Sequence, residues 1–109
     1  MLPNSTLNKG RIPDKSDDDI VIIGFARSAM CRAKKGMFKD TALEQMLKPV
    51  LEAAINMAGI KKEQVEDIQI GNVLGPGASA AQARIAQYMA GFPHETTTVG
   101  INRLCSSGL

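Results

Sequence analysis

Cys105 is followed by Ser106, Ser107 and Gly108 and preceded by the β-branched run TTTVGI at residues 96–101. A cysteine placed between a strand and a helix start is a candidate nucleophile. A thiol at a helix N-terminus meets unpaired amides and the positive end of the helix dipole, and both favour thiolate over thiol. The small residues after it leave room for a bulky acyl group to approach sulfur. The same residues also suit a buried structural cysteine, and the local pattern alone does not separate the two readings.

The partners a nucleophile needs are scarce. The only histidine, His94, lies eleven residues before Cys105. At about 3.3 Å per residue along a strand the two cannot meet unless the chain folds back. His94 therefore reads as a solvated loop residue. The other cysteine, Cys31, sits in the basic segment ARSAMCRAKKGMFKD (26–40) and reads as structural or incidental. Two cysteines in such different surroundings make a poor disulfide framework, which fits a reduced, intracellular compartment.

The elements that would position Cys105 follow from periodicity. Residues 20–25 (IVIIGF) form a continuous apolar run, the pattern of a strand buried on both faces of a parallel sheet. Residues 41–59 (TALEQMLKPVLEAAINMAG) place Leu43, Met46, Leu47, Val50, Leu51, Ala54 and Ala58 on one helical face. Thr41 and Glu44 suit a capping box, Gly59 a left-handed stop, and Pro49 a kink. Ile68, Ile70 and Val73 mark a second strand ending at Gly75-Pro76-Gly77. Ser79 can cap a second helix that Gly91 and Pro93 terminate, and residues 96–101 form a third strand. Strands separated by helical segments indicate βαβ units with parallel pairing, hence an α/β fold.

Composition narrows the class. With 109 residues, 44% hydrophobic and 22% charged, the chain has the make-up of one globular domain or part of one. A net charge of +2 gives no case for nucleic acid or an anionic membrane surface. No apolar run approaches the roughly 20 residues that span a bilayer. Residues 1–19 lack apolar periodicity and read as a disordered leader, with no h-region for a secretory signal.

The stretch NRLCSSG (102–108) resembles the nucleophile motif of thiolases, the enzymes that cleave or form 3-ketoacyl-CoA. DDIVIIGFARSAMCRAKKGMFKDT (18–41) resembles the thiolase opening strand and following loop, and GNVLGPGASAAQARIAQYMAGFP (71–93) the second strand and second helix. CRAKKGMFKDT is similar to the peroxisomal type. The resemblance implies the thiolase α/β fold, layered helices with mixed sheets, of which residues 20–109 supply the early βαβαβ part of the N-terminal half. It implies an acetyl-CoA C-acyltransferase of fatty-acid β-oxidation, with Cys105 as the acyl-thioester nucleophile and helix-start amides as oxyanion donors. It implies 3-ketoacyl-CoA and CoA as substrates, no metal or prosthetic group, and a homodimer with residues 96–102 near the contact. In the family the base is a histidine, and a second cysteine serves as acid and base; both come from farther along a longer chain. The expectation is therefore an incomplete N-terminal domain that carries the nucleophile alone and is inactive by itself. Peroxisomal residence follows from the subtype, although the leader departs from the family's targeting pattern: Arg11-Ile12 begins it, and Asp18-Asp19 stand at its closing positions.

Other readings are weaker. Gly75, Gly77 and Ala80 form G-x-G-x-x-A, as in dinucleotide sites, but Pro76 stiffens the turn and the acid expected after the next strand is missing. The basic residues Arg27, Arg32, Lys34 and Lys35 suit a solvated loop better than a phosphate contact. A non-catalytic interaction or dimerisation module is the alternative from another class. Within the same fold superfamily, decarboxylating condensing enzymes are a further alternative.

Overall fold

In the computed structural model residues 14–109 are described, so most of the leader, including Arg11 and Ile12, lies outside the described residues. The elements run in the order α1 (Leu43–Ala58), β1 (Asp67–Gly71), α2 (Ala80–Met89) and β2 (Thr97–Ile101), with short 3-10 turns at Lys62–Gln64 and Pro76–Ser79. β1 and β2 pair in parallel from Asp67 opposite Thr97 to Gly71 opposite Ile101. The expected βαβ unit is present, with α2 as its connection. The core is Ile68, Ala90 and Phe92, onto which Leu51 and Ile55 of α1 and Val65 and Ile70 pack. Ala83 and Ala86 are buried on α2, and their small side chains let α1 lie close against it.

Three expectations need correction. Residues 20–25 form no strand. Their apolar side chains Ile20, Val21, Ile22, Ile23 and Phe25 are each at least 58% exposed. A strand apolar on both faces needs a hydrogen-bonding neighbour and cover above and below. Neither edge of the β1–β2 pair takes this run among the described residues. It passes instead beside the last turns of α1, where a Cβ on Gly24 would stand 2.9 Å from the Ala54 carbonyl oxygen. The second correction concerns the start of α1. Ala42, not Thr41, is the N-cap residue, and Gln45 takes the role assigned to Glu44: its Oε1 accepts from the Ala42 N–H at 3.3 Å. The third is the β1 boundary, which falls at Gly71 rather than near Gly75.

Other details agree with the sequence. Gly59 closes α1 in the left-handed conformation (φ 68°), its N–H donating to the Ile55 carbonyl at 3.0 Å. The helix runs through Pro49 without ending there. Lys48 and Glu52, four residues apart, pair at 2.8 Å on the turn that follows Pro49.

What fixes β2 against α2 is a polar knot absent from the sequence reading. Gln87 is 0% exposed. Its Nε2 donates to the Pro93 and Thr96 carbonyls at 3.0 and 2.8 Å. Its Oε1 accepts from Arg84 Nη1 at 2.8 Å and from the Thr98 hydroxyl. Arg84 Nη2 also donates to the His94 carbonyl at 2.8 Å, and the guanidinium lies 4.6 Å from the centre of the Tyr88 ring. Thr96 is buried, and its hydroxyl donates to the Val65 carbonyl at 2.9 Å. The loop between α2 and β2 is thus held by side chains on both flanks.

Replacing Gln87 with Ala strands the Pro93 carbonyl, one guanidinium N–H of Arg84 and the Thr98 hydroxyl, while the Thr96 carbonyl keeps Arg84 as its donor. Urea unfolding should show a loss of about 2–3 kcal/mol; a loss under about 0.5 kcal/mol, the size of an ordinary surface change, would show that the knot does not hold the loop. At the sheet's edge, the Thr97 hydroxyl, and after it the Gln69 amide, hold the Asp67 carboxyl below its ordinary pKa. A depressed carboxylate stabilises the fold above its unfolded-state pKa, and the contribution is lost as pH falls through the folded value. Thr97→Val should raise the Asp67 pKa in a carbon-detected NMR titration and leave less acid-dependent loss; an unchanged titration would contradict this.

Candidate active site

Cys105 lies just beyond the C-terminal end of β2, and its side chain is exposed. The parallel pair continues into the site: the Asn72 N–H donates to the Ile101 carbonyl at 2.9 Å, and Asn102 Nδ2 donates to the Val73 carbonyl at 3.3 Å. These bonds seat residues 102–109 over the C-terminal ends of both strands.

The four residues that follow Cys105 are too few to form the helix expected to start there. Residues 103–109 make successive tight turns instead: Ser106 N–H to the Arg103 carbonyl, Ser107 N–H to the Leu104 carbonyl and Leu109 N–H to the Ser106 carbonyl, each at 3.1 Å. The Ser106 and Ser107 amides donate within the turn.

The turn has its own supports. Leu104 has φ 52°, a left-handed conformation that costs a side-chain-bearing residue roughly 1–2 kcal/mol. Its N–H donates to Asn102 Oδ1 at 3.0 Å, and its carbonyl accepts from the Ser107 hydroxyl at 2.6 Å. The same Ser107 oxygen accepts from the Arg103 N–H at 2.9 Å. Ser107 is 8% exposed, while Leu104 beside it is 69% exposed. Under the turn lies Gly71, where a Cβ would stand 2.1 Å from the Ser107 carbonyl oxygen.

The other residues singled out from the sequence stay apart from this turn or serve otherwise. His94 is a surface residue, its Nε2 3.2 Å from the Glu95 carboxylate. Cys31 is exposed in its loop, where a Cβ on Gly36 would stand 2.6 Å from its sulfur. In the glycine turn, the space beside Gly75 is filled by Ser79, whose hydroxyl would lie 1.7 Å from a Cβ there. Ser79 takes the N-cap position of α2 but makes no side-chain cap. A turn packed with its own side chain leaves no room for a pyrophosphate. An open cleft of about 260 Å³ lies between the helices, lined by Leu43, Met46, Val50, Ile70, Asn72 and Ser79. Cys105 does not line it. Among the described residues no cluster of His, Cys, Asp or Glu could hold a metal ion, and no helix is long and apolar enough to cross a membrane. Sequence reasoning missed Gly71, Asn102 and Ser107; an Asn two residues before a strained position is the signal that could have found Asn102, since Asx side chains bond the backbone two residues on.

An exposed cysteine on a turn at the carboxyl ends of parallel strands stands where α/β sheets place their ligand sites. Residues 20–109 match the thiolase N-terminal domain, and the chain belongs to the thiolase family. It is 43% identical over 99 residues to the peroxisomal 3-ketoacyl-CoA thiolase A of Mus musculus, covering 91% of this chain and 23% of that protein. It is 41% identical over 107 residues to the peroxisomal 3-ketoacyl-CoA thiolase 1 of Arabidopsis thaliana, covering 97% and 24%. The human peroxisomal 3-ketoacyl-CoA thiolase is 43% identical over 97 residues. The chain thus spans about a quarter of the length of the curated relatives it matches. Among solved structures, the acetyl-CoA acetyltransferase of Bacillus anthracis superposes with a TM-score of 0.60 at 32% identity, over 66% of this chain and 18% of that one. The expected α/β fold of thiolase type is thereby confirmed.

Gly71→Ala should displace the Ser107 carbonyl and lower stability by about 1–3 kcal/mol, the range for overpacking. Gly108→Ala, where a Cβ meets nothing within 4 Å, serves as the control and should stay within about 0.5 kcal/mol. Equal unfolding midpoints for the two variants would contradict the seating of the turn on Gly71.

Proposed function

We propose that this chain carries the nucleophile of a 3-ketoacyl-CoA thiolase, an acetyl-CoA C-acyltransferase of fatty-acid β-oxidation, and that the nucleophile is Cys105. The observation that carries the reading is the exposed Cys105 sulfur on a side-chain-supported turn at the ends of the parallel strands, inside the segment that matches the thiolase N-terminal domain. That the mouse, Arabidopsis and human relatives are peroxisomal 3-ketoacyl-CoA thiolases supports the substrate class and peroxisomal residence.

In this reading the Cys105 thiolate attacks the 3-keto carbonyl and a C–S bond forms. The bond between the α and β carbons breaks, and its electron pair leaves with the acetyl-CoA fragment, which takes a proton. The shortened acyl group stays on sulfur as a thioester until the thiol of a second CoA attacks it, reforming the Cys105 thiolate. Sulfur suits both halves: its thiolate is a strong nucleophile, and a thioester is a good acyl donor. CoA enters as substrate, and the cycle calls on no metal or prosthetic group. The base and the second cysteine of the family are supplied outside these residues, so residues 14–109 contribute the acyl carrier and its seat. In the assembly we place residues 96–102 at a homodimer contact, as the family resemblance implies.

A chimera with residues 20–109 in place of the matching quarter of the mouse relative provides the test. It should thiolyse 3-ketoacyl-CoA, and Cys105→Ser within it should lower kcat by about a thousandfold or more, as removal of a nucleophile does. A serine variant working within tenfold of the parent chimera would defeat the assignment of Cys105.

A further inference from the structure

We propose that Asn102 and Ser107 are positioning residues for Cys105, holding Leu104 in the left-handed conformation that presents the thiol. The inference rests on the reading of Cys105 as acyl carrier, and it concerns residues that act through the backbone rather than on the substrate. A leucine does not occupy φ 52° without support. Here the support comes through the two peptide groups that flank Leu104. Asn102 Oδ1 takes the Leu104 N–H at 3.0 Å, and the Ser107 hydroxyl gives its proton to the Leu104 carbonyl at 2.6 Å. Each clamp is anchored elsewhere. Asn102 Nδ2 reaches the Val73 carbonyl at 3.3 Å, tying the clamp to the segment after β1. Ser107 is buried, receives the Arg103 N–H at 2.9 Å and rests on Gly71. The chain thus reverses at Leu104 under hydrogen-bond control, and Cys105 is carried outward at the apex.

If holding φ is the task of Asn102, a residue that adopts that φ unaided should make Asn102 dispensable. Glycine does so. Leu104→Gly should therefore rescue Asn102→Ala, which a general packing role for Asn102 would not allow.

Alkylation by iodoacetamide reads the geometry without any acyl chemistry: the thiolate forms an S–C bond, iodide leaves, and buffer takes the thiol proton. Cys31, also exposed, is the internal reference. The Cys105-to-Cys31 labelling ratio is measured by peptide mass spectrometry in buffer and in concentrated urea. For the parent chain the ratio in buffer should differ from that in urea by about fivefold or more, since the environment of a thiol sets its reactivity. Asn102→Ala and Ser107→Ala should bring the buffer ratio to the urea value, and Asn102→Ala/Leu104→Gly should restore the parent ratio. In the chimera, Asn102→Ala should lower kcat by roughly tenfold to a hundredfold with KM unchanged, as misplacement of a reacting group does, with the same rescue. A parent ratio already equal to that in urea, an Asn102→Ala ratio equal to the parent's, or a double variant that fails to recover would overturn the proposal. So would circular dichroism showing both Asn102→Ala and the double variant unfolded, because Asn102 would then serve the fold rather than Leu104. Loss of the Cys105 assignment, read separately from Cys105→Ser, leaves the alkylation result to decide this point.

Discussion

The Ser107 carbonyl oxygen occupies the place where any residue other than glycine at position 71 would put its Cβ. That close approach is the constraint on which the site depends. It lets the chain after β2 fold back over the end of β1, so the cysteine turn is seated on two strands rather than trailing from one. The seat has direction because the strands are parallel: both end at the same edge, and the bond from Asn72 to the Ile101 carbonyl carries the pairing one step past the sheet. The turn then adds a strained residue, Leu104, held by side chains from both sides. Small residues at 106 and 108 leave the sulfur's surroundings open.

Farther back, the position of β2 is set by the Gln87–Arg84 knot rather than by apolar packing alone. The apolar core is small, with Ile68, Ala90 and Phe92 at its centre. A buried polar network whose members are all satisfied fixes a unique arrangement where a few aliphatic contacts would leave slack. The knot reads the loop before β2 through its carbonyls, so the identities of His94 and Glu95 matter little to it. The chain of constraint runs from α2 through the loop to β2, and from β2 to the cysteine turn.

The parts legible in sequence were those governed by local chemistry. The helix over Leu43–Ala58 shows in its apolar spacing and its Gly59 stop, and the Thr97–Ile101 strand in its β-branched run. The helix start slipped by one residue because Glu44 and Gln45 can each reach back to an N-cap amide three residues earlier, and with Ala42 at the N-cap only the Gln45 half of a capping box forms. Residues 20–25 misled for a deeper reason: an apolar run states a demand for burial, and whether that demand is met depends on neighbours its own sequence does not encode. The candidate nucleophile was visible as a residue type in a small-residue context, supported by family resemblance. Its seat was invisible, since Gly71 and Ser107 lie 36 residues apart and meet only through the parallel pairing.

The central claim is that this one sulfur carries an acyl group between two CoA molecules. The most direct measurement is a single-turnover trap: the chimera is mixed with 3-ketoacyl-CoA labelled in the portion that stays behind, quenched in acid and digested for peptide mass spectrometry. Label on the Cys105 peptide that disappears when CoA is added before the quench is the predicted result. Label on another residue, or label on Cys105 that CoA cannot remove, would contradict it.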